Sequence, residues 1–236
     1  MGKIGDNYKK LRDSIPPYVT IVVASKMRTP DEVKEVIQAG AEDIGENYVY
    51  PEAFDKYQSL GDIAKKARWH FIGHLQKNKI NKALFIFNVI QTIESFRKAK
   101  EIDKRVKGAG KSIIPVFLEI NSGREESKTG FPPDISILKE ALVKMEELKH
   151  IKIKGLMTMG PRFGDPEEAR PYFKLTKELF EQLKDVETKN SELETLSMGM
   201  SNSYKVAIEE GSNMVRIGSL IYGSQGRSLH CCGFLT

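Results

Sequence analysis

One pattern constrains this chain more than any other. Eight short runs, most of them rich in apolar and β-branched residues, alternate with longer stretches of helical spacing. The runs fall at residues 18–25, 43–46, 69–73, 87–92, 113–121, 153–158, 195–198 and 214–217. The helical stretches fall at 30–39, 52–60, 78–84, 95–107, 135–148, 166–184 and 202–210. Parallel strands cannot be joined by a tight turn, so strand–helix alternation implies a parallel sheet with crossover helices. Eight such units in 236 residues fit a closed barrel, a fold that takes about 250 residues as one unit. An open doubly wound sheet competes. It would often carry a glycine-rich turn after its first strand, whereas this turn reads Lys26-Met27-Arg28-Thr29-Pro30. The expectation is an α/β chain, a single (β/α)8 TIM barrel over 1–236. An extra leading helix occupies 1–17, ended by Pro16-Pro17, and a tail occupies 224–236.

Local chemistry supports the element reading. Thr29 is a helix N-cap with Pro30 at the first helical position, and Gly40 stops that helix. In 166–184, Tyr172, Phe173, Leu175, Leu179, Phe180 and Leu183 form a stripe that faces a barrel.

In a barrel of this kind chemistry gathers where the strands end. Lys26 closes the apolar run Thr20-Ile21-Val22-Val23-Ala24-Ser25. Burial there would disfavour its charged form and make the amine a nucleophile. Taken alone, the residue reads first as the solvated start of a loop. The two last strands are followed by segments suited to a phosphate. Gly199-Met200-Ser201-Asn202-Ser203 leads into a helix, where Ser201 either faces an anion or caps the helix. Arg216 lies in the last strand, followed by Gly218 and Ser219. Gly218 lets the backbone approach a ligand, or simply turns. Arg216 brings fixed charge to the site, or pairs at the rim. A carbonyl-trapping lysine with a separate phosphate clamp fits pyridoxal 5′-phosphate, and also a class I aldolase acting on a sugar phosphate.

Composition removes several alternatives. The net charge of +5 is spread over helix faces among acids, without the dense basic tract and interleaved aromatics of a nucleic-acid surface. No apolar run approaches the ~20 residues that span a membrane. The N-terminus has no signal-peptide core, which places the protein in the cytoplasm. Cys231 and Cys232 are adjacent tail residues and read as free thiols; no metal-ligand set is seen, because His70 and His74 lie on a strand and a loop. His70 reads as a satisfied core histidine. His74, past the strand, is the better acid–base candidate. Trp69 reads as packing. The charged loop 121–129 either covers the site or is solvated.

Several stretches together carry a resemblance. They are Val22-Val23-Ala24-Ser25-Lys26, Gly45-Glu46-Asn47-Tyr48, Trp69 through Lys79, Gly155-Leu156-Met157-Thr158-Met159, Leu196 through Ser201, and Val215-Arg216-Ile217-Gly218. Running in order from the first strand to the last, they closely resemble the pyridoxal phosphate homeostasis protein family, whose barrel is related to the N-terminal domain of alanine racemase. The resemblance implies that Lys26 holds pyridoxal 5′-phosphate (PLP) as a Schiff base. It implies that Ser201, with the backbone at Gly218 and Ser219, holds the phosphate. Asn47 would lie beside the ring, unless it only caps a helix. Arg216 would face the pyridine nitrogen. An arginine can only donate, so the ring would be a weak electron sink.

The leading expectation is a PLP-binding protein of intracellular PLP homeostasis, with little or no catalysis, and apo PLP-dependent enzymes as possible recipients. A PLP-dependent racemase-like enzyme is the alternative. The chain has no room for the second domain from which racemases draw their opposing tyrosine. That same absence points to a monomer. A phosphosugar aldolase is third. It would carry its lysine on strand six, where Lys152 and Lys154 precede Gly155 and none stands at the end.

Overall fold

Each of the eight runs becomes a strand, and the strands close on themselves. The computed structural model describes residues 2–125, 128–160 and 164–223. Its elements are α1 (Lys3–Ser14), β1 (Thr20–Ala24), α2 (Pro30–Gln38), β2 (Asp43–Glu46), α3 (Phe54–Leu60), β3 (Arg68–Phe71), α4 (Ile80–Ile86), β4 (Val89–Ile93) and α5 (Phe96–Val106). They continue as β5 (Ile114–Glu119), α6 (Ile135–Met145), β6 (Ile151–Met157), α7 (Arg170–Lys184), β7 (Ser191–Met200), α8 (Tyr204–Glu209), β8 (Met214–Ile217) and the four-residue α9 (Ser219–Tyr222). Every neighbouring pair is parallel. β8 returns to β1 in the register Thr20↔Met214 to Val23↔Ile217. This is the (β/α)8 TIM barrel, with α1 as the extra N-terminal helix.

The alternation of side chains along each strand builds two apolar layers. Ile21 and Val23 belong to the large layer between sheet and helices, with Ile44, Trp69 and Phe71. Val22 belongs instead to a small cluster with Val89, Phe117, Met157 and Met214, drawn from five strands. Helix starts follow the sequence chemistry. Thr29 accepts from the Glu32 N–H while Glu32 accepts from the Thr29 N–H, a reciprocal capping box with Pro30 at the first position. The stripe on α7 buries Phe173, Leu179, Phe180 and Leu183. α1 is tied to β1 through Arg12, which donates to the carbonyls of Ile15, Pro16 and Val19.

Three departures from the expected elements have physical causes. β6 and β7 begin earlier than their apolar runs, at Ile151 and Ser191. The extra residues include the charged Lys152, Glu192 and Glu194, and cross-strand pairs hold them: Glu192 to Lys154 at 3.0 Å and to Lys152 at 3.5 Å, and Glu194 to Lys154 at 3.1 Å. The stretch 166–184 divides into a 3-10 turn, Pro166–Ala169, capped by Asp165, and then α7. α9 was not expected, because four residues carry no periodicity. No helix among the described residues is long and apolar enough to cross a membrane. The tail 224–236, with His230, Cys231 and Cys232, lies outside the described residues, as does the centre of the 121–129 loop.

Candidate functional site

Because all eight strands are parallel, the loops after β1, β7 and β8 open on the same face, and β1 neighbours β8. Between them lies a cavity of about 490 Å³, within the ≈ 300–1,000 Å³ typical of small-ligand clefts. Lys26, Ser201, Arg216, Gly218 and Ser219 all line it, together with Arg28. Five of the six residues expected at the site are thus brought together. Asn47 follows β2, half-buried, and is not in this lining; its backbone instead lies against Gly73, where a Cβ would sit 2.1 Å from the Asn47 carbonyl oxygen.

The loops are shaped by close approach. A Cβ on Gly218 would lie 2.8 Å from the Ala24 carbonyl oxygen, so only glycine lets β8 end against β1. Gly199 sits at φ 88 and packs on Ala207, turning the chain from β7 toward α8. The two phosphate-type loops touch directly: the Gly218 N–H donates to Ser201 Oγ at 3.3 Å. Among the described residues no carboxylate lines the cavity, and three cations do.

Lys26 differs from its expected environment. β1 ends at Ala24, so the lysine stands two residues beyond the strand and is exposed. The buried member of this turn is Ser25, whose hydroxyl bonds to the Val23 carbonyl at 3.1 Å and to the Tyr222 hydroxyl at 2.7 Å. The Lys26 ammonium has no ion pair or hydrogen bond among the described residues.

Arg216 is buried at 4% exposure, and among the described residues no carboxylate is in ion-pair contact with it. It donates to the Ser197 carbonyl (2.9 Å), the Ser197 hydroxyl (2.6 Å) and the Thr158 carbonyl (2.7 Å). A guanidinium has five N–H donors, so two remain. Burial pulls its pKa down to about 10, with Glu119 opposing; it stays cationic at neutral pH. Its orientation is fixed from below by a polar chain across the barrel interior. Ser197 Oγ donates to Gln91 Oε1 at 2.8 Å, and Gln91 Nε2 stands 2.9 Å from His70 Nδ1. That amide contact assigns His70 its Nε2–H tautomer, which donates to Asp43 at 2.8 Å. Asp43 is held by Arg68 through two further bonds. His70 is therefore a satisfied core histidine. Trp69 is packing: it is fully buried, donates to the Ala64 carbonyl and meets Tyr57 edge-on.

Sequence reasoning missed the acidic groups of this face. Glu119, the last residue of β5, is buried and faintly bonded by Thr129 at 3.4 Å. Burial, reinforced by Glu94, pushes its carboxyl up to about 7. Glu46 at the end of β2 is fully buried, and burial lifts it to about 7 against the pull of Lys56. Polar residues that end or interrupt buried runs are the signal that would have found them. His74 does not line the Lys26 cavity; it stands 3.2 Å from Glu94 elsewhere on the rim.

Comparison with known proteins identifies the family and the fold. The family described as "Alanine racemase, N-terminal domain" matches residues 1–226. The pyridoxal phosphate homeostasis protein of Aquifex aeolicus is 39% identical over 202 residues, 86% of this chain and 85% of that one. The protein of the same name from Escherichia coli is 32% identical, covering 97% of this chain and 99% of that one. Among solved structures, PipY of Synechococcus elongatus with PLP bound is similar at a TM-score of 0.82 and 28% identity, over 93% of this chain and all of that one. The alanine racemase of Clostridium difficile shares the fold at a TM-score of 0.70 and 15% identity, with 96% of this chain on 58% of that enzyme.

Proposed function

From a chain that belongs to the alanine racemase N-terminal domain family, and within it to the pyridoxal phosphate homeostasis proteins, we propose a protein that holds PLP in the β1–β7–β8 cavity and buffers its supply in the cytoplasm. One observation carries this reading. Among the described residues, an unpaired amine, a buried guanidinium without a counter-charge, a serine hydroxyl and glycine-opened backbone line one cavity to which no carboxylate contributes.

The donor set fits the cofactor. Ser201 and the backbone at Gly218 and Ser219 take the phosphate, with Arg28 adding charge to the same wall. Lys26 is the covalent anchor: bound there, PLP supplies an aldehyde that a neutral amine can trap with loss of water. Arg216 takes the ring nitrogen. Because its fixed charge only donates, it holds no proton acceptor against that nitrogen and cannot support the protonated ring on which carbanion chemistry depends. Asn47, outside this lining, has no part in the grip on the phosphate. The residues therefore favour holding over turnover, by a monomer that passes cofactor to apo-enzymes. The aldolase reading loses its lysine: Lys152 and Lys154 are tied to Glu192 and Glu194, at the far end of β6 from the cavity.

Titration of the purified chain with PLP tests this. A visible absorption band is expected that borohydride bleaches, leaving the added mass on the peptide that contains Lys26. No band, or one unchanged in Lys26→Ala with the mass elsewhere, sinks the assignment.

A further inference from the structure

We propose that Lys56, Glu46 and Glu52 form a clamp that aims the Lys26 side chain into the cavity. This rests on the reading of Lys26 as the covalent anchor. Lys26 is exposed, and among the described residues its own side chain has no partner that fixes its direction. The direction in which its Cα–Cβ bond points is set by the two peptide planes that flank it. The structure grips both. The carbonyl of the first plane belongs to Ser25, and it accepts from Lys56 Nζ at 2.7 Å. The N–H of the second plane belongs to Met27, and it donates to Glu52 Oε1. The turn is further held by Ser25 N–H to the Gly45 carbonyl at 2.8 Å and by Arg28 N–H to the Ser25 carbonyl at 3.1 Å.

Two features show that this turn needs holding. Met27 sits at φ 58, a left-handed conformation that side-chain-bearing residues adopt only when their surroundings impose it. The ions of the clamp are also buried beyond what stability asks for. Lys56 is 3% exposed, bonds Glu46 Oε1 at 2.5 Å and stands 3.7 Å from Glu52. Glu46 is fully buried, and its second oxygen accepts no hydrogen bond among the described residues. An apolar pair of the same size would cost less to bury, and it would offer nothing to the Ser25 carbonyl. None of the three residues lines the cavity, so they are positioning residues and do not touch the ligand.

The test separates capture from binding. Apo protein is mixed with PLP in a stopped-flow instrument and the rate of growth of the visible band is measured. Affinity for pyridoxine 5′-phosphate, which has the phosphate and ring but no aldehyde, is measured by calorimetry. In Glu52→Ala and in Lys56→Met/Glu46→Gln, which leaves no buried charge unpaired, covalent capture is expected to slow about 10- to 100-fold, as misaimed reacting groups do. Pyridoxine 5′-phosphate affinity is expected to hold within about twofold, and Lys56→Arg to restore some of the rate. Parental capture rates in the folded variants overturn the clamp. So does an equal loss of both readouts, which marks a general collapse of the site. Glu52 is partly exposed, so Glu52→Ala decides the matter if the double variant fails to fold. A parent chain that never forms the bond at Lys26 overturns the anchor reading itself, and that result differs from both others.

Discussion

Glu119 shows how a single residue at the mouth of a barrel couples fold to pH. Its carboxyl is raised by burial first and by Glu94 second, from 4.5 to about 7, although Arg216 and Lys98 pull the other way. A group whose folded pKa is raised binds its proton more tightly in the native state. Its stabilising contribution is complete below the unfolded value and is lost as pH rises through the folded one. Glu119→Gln keeps the shape and removes the titration. The variant and the parent are expected to melt together near pH 4.5, and the variant to melt increasingly higher as pH approaches 8. Differential scanning calorimetry at three pH values checks this; a difference that does not change with pH contradicts it. Residues at this scale were unequally legible. Lys26, Ser201, Arg216, Gly218 and Ser219 stand at strand ends within recognisable runs, and the cavity gathers them. Lys56 gave no such sign. It reaches the Ser25 carbonyl only because α3 folds back beneath a loop 31 positions earlier, and no local period records that.

At the scale of elements, close approach of strands decides more than propensity does. Gly155 lies on β6 where the register shifts against both β5 and β7. A Cβ there would sit 2.0 Å from the Thr195 carbonyl oxygen, so a side chain has to push apart a pair of hydrogen-bonded strands. Gly155→Ala is expected to cost about 1–3 kcal/mol, a Tm loss of roughly 2–4 °C per kcal/mol in a chain of this size. Gly108→Ala, with nothing near its added carbon, is the matched control and is expected to leave Tm in place. Equal melting of the two variants would show that β6 and β7 can separate freely. The cap of α2 offers a smaller effect: Thr29→Ala removes the acceptor for the Glu32 N–H and is expected to cost about 1 kcal/mol by denaturant titration. An unchanged midpoint would mean that Glu32 alone holds this end. β1, β4 and β5 were legible because buried parallel strands concentrate β-branched residues, whereas β2, β3 and β7 were legible chiefly by their place in the alternation with helices. Their ends were not, where ion pairs such as Lys154–Glu192 extend pairing into polar sequence.

The whole barrel does something no strand does alone: it carries a directed polar chain through its interior. β4 and β7 are not neighbours, yet Gln91 meets Ser197 at 2.8 Å, which only closure allows. Each donor points the same way, from Arg216 through Ser197, Gln91 and His70 to Asp43, where Arg68 closes the far end. The closed topology was readable from eight repeated units, but this chain was not. The hint was polar residues within buried strands, Gln91 in β4 together with His70 in β3 and Ser197 in β7, and nothing local says which strand each will meet. Its position makes it the test of coupling across the molecule. Gln91→Leu leaves His70 Nδ1 and Ser197 Oγ buried without that partner, at about 1–3 kcal/mol of stability. It also frees the Ser197 hydroxyl to turn, which loosens the seat of Arg216 beneath the cavity. Affinity for PLP is therefore expected to weaken by about 1 kcal/mol, roughly fivefold in Kd, although Gln91 does not line the cavity. Fluorescence of Trp69, the one tryptophan and fully buried, reports the stability loss in the same sample. A lower melting point with unaltered affinity would confine the chain to holding the barrel shut, and Arg216 would then owe its orientation to the Ser197 and Thr158 carbonyls alone.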